Sequence, residues 1–195
     1  MPSIYLASSS PRRRALLKQI NLPHEVIAAE VDETLPPGMP PAQQVVTLSR
    51  RKALAAAARV PAGIIVAADT VVALGDRVLG KPEDRREALA MLEMLQGKTH
   101  KVYTGLTVLQ VPGGRALSQY ECTEVEMAPV SRAELLRYIG TGEPMDKAGA
   151  YGVQGLASVF VAGVRGCYFN VVGLPLHRLA RMLHELGVDI TEYWR

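Results

Sequence analysis

The chain contains little that would support a disulfide framework or a membrane span. It has two cysteines, Cys122 and Cys167, and neither belongs to a CxxC pair, so we predict that both are reduced packing residues. No apolar run reaches the length that crosses a membrane, and the first residues lack the apolar core of a secretory signal peptide. The sequence therefore predicts a cytoplasmic protein with no membrane partner.

Long runs of one charge are also missing. No run exceeds the three residues of Arg12-Arg13-Arg14, and 22 Lys and Arg against 19 Asp and Glu give a net charge of +3. Because binding to a polyanion requires a broader basic face, the charge pattern argues against a nucleic-acid partner. Aromatic residues make up only 5% of the chain, but hydrophobic residues reach 48%. That content is sufficient for the core of a single domain, including one with two lobes around a cleft.

Helix and strand patterns alternate along the chain. Five helices are predicted. The first begins at Pro11, the second runs from about Ala42 to Arg59, and the third is opened by Asp84 and stopped by Gly97. The fourth follows Ser131, and the last carries Leu176 to Leu183 and stops before Gly187. Strands are predicted at Ile4–Ala7, His24–Ala29, Ile64–Ala68, Val102–Val111 and Thr123–Met127, with a hairpin of Ser158–Ala162 and Cys167–Val172. This order predicts an α/β fold.

The first strand runs into a hydroxyl-rich turn and a helix whose first turn is basic. Ser10 fits the N-cap and Pro11 the first helical position. Free backbone N–H groups, the Ser8 hydroxyl and the guanidinium groups of Arg12 and Arg13 would then converge on one point, as in phosphate sites. An ordinary capped helix with solvated arginines explains the same pattern equally well.

Three charged residues interrupt apolar structure. Asp69 follows the apolar run Ile64–Ala68, and a carboxylate at the carboxyl end of a central strand lies where α/β sheets bind ligands. It is either a functional carboxylate or a cap of the following turn. Taken alone, Glu33 is typical of a solvated loop acid, and Lys52, beside Arg50 and Arg51, of a surface lysine.

Two glycine-containing segments carry further candidates. Gly80-Lys81-Pro82 presents a lysine on a short, restrained loop, where lysines often meet phosphate, although a plain turn is the alternative. Residues 142–155 combine four glycines with acidic and basic groups and Gln154. The Gln154 amide offers a donor and an acceptor to the edge of a base, whereas the alternative is an elaborate surface loop.

These segments occur in an order that resembles a known family. They are Ser8-x-Ser10-Pro11-Arg12-Arg13, Glu33, Lys52, Ala68-Asp69-Thr70, Gly80-Lys81-Pro82, His100-x-Val102-Tyr103-Thr104-Gly105, Gly142-Glu143-Pro144, Asp146-Lys147-Ala148-Gly149-Ala150-Tyr151-Gly152-x-Gln154-Gly155 and Val172-Gly173-Leu174-Pro175. Together they resemble the Maf family of nucleoside triphosphate pyrophosphatases, historically linked to septum formation. The resemblance covers the chain from about Ile4 to Leu186. Two departures, Ala67 and Gln96 in place of a common Gly and Ser, touch no charged candidate.

The resemblance implies a fold, a reaction and a metal ion. The fold would be a single α/β domain over residues 1–195, with a long curved mixed sheet flanked by helices and two lobes around a deep cleft, similar to inosine triphosphate pyrophosphatases. The reaction would be hydrolysis of a nucleoside triphosphate to its monophosphate and pyrophosphate. Mg²⁺ or Mn²⁺ would bridge phosphate oxygens and the carboxylates of Glu33 and Asp69. A homodimer would fit the family.

The resemblance and the chemistry of phosphoryl transfer together suggest roles for ten residues. Asp69 would be the base or a metal-held carboxylate and Glu33 its metal partner, with the choice of base between them open. The remaining assignments are Lys52, Lys81 and Arg13 as charge clamps, Ser8, Ser10, Arg12 and Arg13 at the phosphates, and Arg12, Thr70 and Gln154 at the base. The Tyr151–Gly155 version of the glycine-rich segment resembles the branch of the family that acts on dTTP and UTP, and differs from the branch that acts on 7-methyl-GTP.

Two other functions stay open at this point. One is a non-enzymatic nucleotide-binding regulator of septum formation, against which the set of Asp69, Glu33, Lys52 and Lys81 argues, because a pure binder needs no water-activating carboxylate. The other is a nucleic-acid-binding module that uses Arg12–Arg14 and Arg50–Lys52. The scattered acidic residues argue against that second function.

Overall fold

A seven-stranded mixed sheet forms the centre of the fold in a computed structural model that describes residues 1–28 and 30–194. The strands are β1 (Ile4–Leu6), β2 (Glu25–Val26), β3 (Gly63–Leu74), β4 (Arg77–Leu79), β5 (Thr99–Val111), β6 (Ala116–Met127) and β7 (Val161–Arg165). Their order is β2-β1-β3-β5-β6-β7, with β4 paired to β3. β1 is parallel to β2 and β3, whereas the pairs β3–β4 and β6–β7 are antiparallel.

Six α-helices and four short 3₁₀ segments connect the strands in the described part of the chain. The helices are α1 (Pro11–Gln19), α2 (Pro41–Ala57), α3 (Arg85–Leu95), α4 (Arg132–Gly140), α5 (Tyr168–Val172) and α6 (Leu176–Glu185). Ser10, Asp84 and Ser131 cap α1, α3 and α4, as their sequences predict. Among residues 1–28 and 30–194, every helix is too short or too polar to span a bilayer. The predicted α/β class with a mixed sheet is confirmed.

The chain divides into two compact units, and strands β3, β5 and β6 contribute residues to both. The first unit comprises residues 1–69, 104–121 and 173–195, and the second comprises residues 70–103 and 122–172. Each has its own apolar core. Ala53, Ala56, Ile65, Ala67 and Leu109 lie in the core of the first, and Leu92, Leu95, Val125, Leu135 and Tyr151 lie in that of the second.

In the first unit, α2 lies unusually close to the sheet. A β-carbon on Gly105 of β5 would collide with the backbone carbonyl of Val45 in α2 and would lie 2.7 Å from the amide nitrogen of Val46. Only glycine fits this approach. The buried face of α2 includes Ser49 and Ala53, as its periodicity predicts. The close approach at Gly105 fixes the position of α2, the helix that contains Lys52, against the sheet.

In the second unit, α3 and α4 pack together. The predicted apolar positions of α3, namely Ala88, Met91, Leu92 and Leu95, are all buried. α4 adds Leu135, Tyr138 and Ile139 to the same core. The glycine-rich stretch after α4 forms 3₁₀ segments at Glu143–Asp146, Ala148–Ala150 and Leu156–Phe160.

β6 begins at Ala116 and not at Thr123, and three further details differ from the sequence-based expectations. β3 continues through Asp69 to Leu74, because β-branched residues after Asp69 extend the strand and pair with β4. The predicted hairpin of residues 158–172 is wrong, since β7 pairs with β6 and α5 replaces the second strand. The predicted strand from His24 reduces to Glu25–Val26, and its last residue, Ala29, lies outside the described residues.

Candidate functional site

The turn between β1 and α1 gathers hydroxyl and guanidinium groups around the start of the helix. The Ser10 side chain accepts a hydrogen bond from the backbone N–H of Arg13 at 3.4 Å. The Ser8 hydroxyl oxygen accepts from the Ser10 N–H at 3.2 Å and from Arg13 Nη1 at 3.1 Å. Arg13 Nε donates to the carbonyl of Gly173 at 2.8 Å. Ser8, Ser10 and Arg13 therefore lie together at the positive end of the α1 dipole.

Arg13 is a desolvated cation with charged neighbours. Burial lowers the pKa of its guanidinium, the carboxylates of Asp69 and, more weakly, Glu33 oppose this shift, and the charge of Arg12 adds to it. The group still stays protonated, because guanidinium is not deprotonated in proteins. The positive end of the α1 dipole and the guanidinium groups of Arg12 and Arg13 would attract an anion, whereas Asp69 and Glu33 would repel one unless a cation neutralises them.

Lys52 joins the two carboxylates of the first unit. Its Nζ lies 2.6 Å from Asp69 Oδ1 and 2.7 Å from Glu33 Oε1. The side chains of Lys52 and Asp69 are only 16% and 12% exposed, whereas Glu33 is 60% exposed. One ammonium group thus draws an exposed and a buried carboxylate to the same point.

The strand pairing explains why Asp69 lies near the turn between β1 and α1. β1 pairs in parallel with β3 up to Leu6, opposite Val66, and the chain then turns at Ser8. Asp69 lies three residues beyond Val66 on β3. Although Asp69 is within a strand and not after one, it is at the carboxyl edge of the parallel pair, where α/β sheets bind ligands.

The second unit contains the other predicted site residues. Lys81 is exposed in the loop between β4 and α3, and the carbonyl of its neighbour Gly80 accepts a hydrogen bond from the N–H of Gly149 at 2.9 Å. The Lys81 loop is therefore tied to the glycine-rich segment. Thr70 is the first residue of the unit, in β3, and Gln154 is exposed on the glycine-rich segment.

His100 anchors the glycine-rich segment to β5. Its Nε2 lies 2.7 Å from the Tyr151 hydroxyl, and the two rings meet edge to face with centroids 5.3 Å apart. Burial lowers the pKa of His100 to about 4 and raises the pKa of Tyr151, so both groups are neutral at pH 7. His100 therefore has a structural role, and it is not among the ten residues to which the resemblance assigns a part in the chemistry.

The comparison with protein families places this arrangement in a known group. The model of Maf-like proteins matches residues 3–186. This chain belongs to the Maf family.

Three curated relatives of this Maf protein are named dTTP/UTP pyrophosphatase. The protein of Desulforamulus reducens is 49% identical over 98% of this chain and 100% of its own length, and that of Pelotomaculum thermopropionicum is 51% identical over 97% and 100%. The protein of Carboxydothermus hydrogenoformans is 51% identical over 94% and 98%. A solved structure, the Ham1 protein of Staphylococcus aureus, is similar with a TM-score of 0.45 and 16% identity, over 65% of this chain and 72% of that one.

Sequence reasoning missed the role of Arg51 in this Maf protein. One guanidinium nitrogen, Nη1, donates to the carbonyls of Asp32 at 2.7 Å and Thr34 at 2.8 Å. These residues flank Glu33, whose carboxylate binds the next residue of α2, Lys52. The only sequence signal is the run Arg50-Arg51-Lys52, in which Lys52 by itself has the pattern of a surface lysine.

The carboxylates present suit a hard divalent cation that is shared with a substrate. Among residues 1–28 and 30–194, no group of three or more His, Cys, Asp or Glu side chains could hold a metal ion by itself. Mg²⁺ commonly binds through only one or two protein carboxylates and completes its shell with waters and substrate phosphates. Glu33 and Asp69, drawn together by Lys52, match this donor set.

Proposed function

We propose that this Maf protein is a nucleoside triphosphate pyrophosphatase that hydrolyses dTTP and UTP, or modified pyrimidine nucleotides, to the monophosphate and pyrophosphate. The observation that carries the proposal is the contact of Lys52 with both Asp69 and Glu33, within electrostatic reach of Arg13. The names of the relatives support the choice of substrate.

Water activation is the role proposed for the acidic pair. Asp69 is buried and Glu33 exposed, so we assign the proton of the attacking water to Asp69. The water oxygen forms a bond to the α-phosphorus, and the bond from that phosphorus to the bridging oxygen breaks. Pyrophosphate leaves with the bonding electron pair, and the proton passes to the Asp69 carboxylate.

Charge stabilisation is the role proposed for the cations. The N-terminus of α1, with Ser8 and Ser10, offers hydrogen-bond donors to phosphate oxygens, and Arg12 and Arg13 add positive charge. Lys52 would release part of its interaction with the carboxylates as the phosphates arrive. Lys81 has the charge and exposure for the same work in the second unit.

A divalent ion, Mg²⁺ or Mn²⁺, would be held by Glu33 and Asp69. When bound, it would neutralise charge on the phosphate oxygens. Lys52 already neutralises the same two carboxylates. We therefore expect Lys52 to shift toward the phosphates when the ion binds.

Base selection is the role proposed for Arg12, Thr70 and Gln154. Uracil and thymine present O4, N3–H and O2, which is an acceptor-donor-acceptor edge that an amide such as Gln154 can match. Cytosine carries an amino group at C4 and has no N3–H. Buried groups left unpaired by cytosine would cost roughly 1–3 kcal/mol each.

The products of a nucleotide panel test this function. Purified protein with Mg²⁺ or Mn²⁺ is given UTP, dTTP, CTP, GTP, ATP and modified pyrimidine triphosphates, and pyrophosphate and orthophosphate are measured separately. We expect pyrophosphate and monophosphate from UTP and dTTP. Orthophosphate and a nucleoside diphosphate as first products would reassign the protein as a γ-phosphatase. No turnover of any nucleotide would favour a non-enzymatic nucleotide-binding regulator.

A further inference from the structure

Glu143, in the glycine-rich stretch after α4, makes contacts that the proposed reaction does not use. Its Oε1 accepts a hydrogen bond from the Tyr138 hydroxyl at 3.1 Å, and its Oε2 accepts from the backbone N–H of Leu156 at 2.9 Å. Each carboxylate oxygen therefore has a donor. The second bond links residues that are thirteen positions apart and closes the segment between them into a loop.

Gly155 is shaped to admit this carboxylate. A β-carbon at residue 155 would lie 2.6 Å from Glu143 Oε2 and closer still to Oε1. The backbone of Gly155, with φ −100° and ψ −152°, is not in the left-handed region that requires glycine. The collision with Glu143 is thus the structural reason for glycine at this position.

The same loop has a second set of anchors at its other end. The Tyr151 hydroxyl bonds to His100. A β-carbon on Gly152 would lie 2.7 Å from Cε of Lys147, whose ammonium donates to the carbonyl of Glu143 at 2.6 Å. Gln154 is exposed between the two anchored ends.

We infer that Glu143 is a positioning residue for Gln154 and thereby sets the selectivity of the enzyme for the base. A loop that contains Gly152 and Gly155 has many accessible backbone conformations, and the bond from Glu143 to Leu156 fixes the chain two residues after Gln154. The backbone that carries Gln154 is then restrained before a nucleotide binds, which lowers the entropy cost of aligning the Gln154 amide with the base. This inference rests on the proposed function.

Two substitutions at residue 143 separate positioning from a general loss of structure. E143A removes both acceptors. E143Q keeps an acceptor for the Leu156 N–H, and its amide nitrogen can donate to the Tyr138 hydroxyl oxygen. We expect E143A to raise KM for UTP and to reduce the UTP-to-CTP ratio of kcat/KM by roughly tenfold. We expect E143Q to restore the ratio to within about twofold of wild type.

A double-mutant cycle with Gly155 tests the contact itself. G155A should reduce the UTP-to-CTP ratio in the wild-type background, because its methyl group displaces the Glu143 carboxylate. In the E143A background the same change should have little further effect. G140A is the matched control, since a β-carbon there would meet no atom within 4 Å other than those of its chain neighbours and its own helix backbone, and it should leave the ratio unchanged.

The outcomes distinguish this inference from the proposed function. Wild-type protein that releases no pyrophosphate from UTP or dTTP overturns both. Active wild-type protein overturns the inference alone if E143A keeps the wild-type ratio, if E143A lowers kcat/KM equally for UTP and CTP, or if E143Q is as impaired as E143A. Equal effects of G155A in both backgrounds would also overturn it.

Discussion

Arg51 holds the backbone on both sides of Glu33 without contacting the Glu33 carboxylate. The two carbonyls that it binds belong to Asp32 and Thr34, and Asp32 Oδ1 accepts a further hydrogen bond from the N–H of Thr34 at 2.9 Å. Lys52, the next residue of α2, binds the carboxylate itself. Two consecutive helix residues thus restrain Glu33, Arg51 through the backbone of the residues on either side of it and Lys52 through its carboxylate.

Removal of this backbone support should weaken catalysis through Glu33. We expect R51A to lower kcat/KM for UTP by roughly ten- to a hundredfold, because small displacements of a catalytic group are costly. The comparison is R50A, which removes the same charge from the neighbouring, exposed position. Steady-state kinetics of both variants at equal metal concentration provide the measurement. Equal losses in R51A and R50A would mean that only the net charge of α2 matters.

Asp69→Asn should abolish turnover and leave the fold intact. The change keeps the size of the side chain but removes the base and weakens the pairing with Lys52, so we expect kcat to fall by about 10²–10⁴-fold. Circular dichroism and the thermal midpoint would confirm folding. Near-normal kcat in a folded variant would exclude Asp69 as the base and leave Glu33 as the candidate.

Gln154→Glu should change selectivity more than it changes folding. A carboxylate would repel O4 or O2 of uracil and thymine but accept a hydrogen bond from the amino group of cytosine. We expect kcat/KM for UTP and dTTP to fall by on the order of tenfold, and the UTP-to-CTP ratio to fall with it. An unchanged ratio would indicate that Gln154 shapes the loop without contacting the base, and would transfer the role to Thr70 or Arg12.

His100 should make the protein less stable in mild acid. Its pKa is about 4 when folded against an ordinary value of 6.5, so the unfolded chain binds the extra proton first as the pH falls. The contribution of neutral His100 to the free energy of unfolding is fully present above pH 6.5. It falls by on the order of 3 kcal/mol as the pH drops from 6.5 to about 4.

Urea unfolding at pH 7, 5.5 and 4 measures this contribution. H100Q can keep a hydrogen bond to Tyr151 but does not titrate, so the free energy of unfolding of wild type should fall more steeply with acid than that of H100Q. H177Q, at an exposed histidine in α6, should parallel wild type. Parallel curves for wild type and H100Q would contradict the prediction.

Local patterns predicted most of the helices and long strands because their signals are short in range. The Asp84 cap and the four apolar positions of α3 are examples, and each needs only neighbours within a few turns. The predicted end of β3 at Ala68 was wrong, because the residues after Asp69 pair with β4 and continue the strand.

The hairpin prediction for residues 158–172 was wrong because part of this segment contacts a residue that is distant in the sequence. The Thr123 hydroxyl of β6 accepts from the N–H of Cys167 and donates to its carbonyl, both at 3.1 Å, and accepts from Asn170 Nδ2 at 2.8 Å. These contacts fix a turn and start α5 where the mostly apolar run Cys167–Val172 predicted a strand. Local periodicity contains no trace of a partner 44 residues away.

The candidate site was partly predictable for the same reason. Ser8, Ser10 and Arg13 are close in sequence, and the structure brings them together as the turn predicts. Lys52, taken by itself, had the pattern of a surface lysine, because its partners lie 17 and 19 positions away in the sequence. Only the resemblance to a family connected them before the structure did.

The close approach of Gly105 to α2 limits which residues can be inherited at position 105. Residue 105 has no charge and no functional group, yet any side chain there must push against the backbone of Val45, in the helix that presents Lys52. We therefore expect selection to remove codon changes that replace Gly105, for a reason that concerns another residue. The range of residues allowed at position 105 is therefore set by the required position of the Lys52 ammonium group.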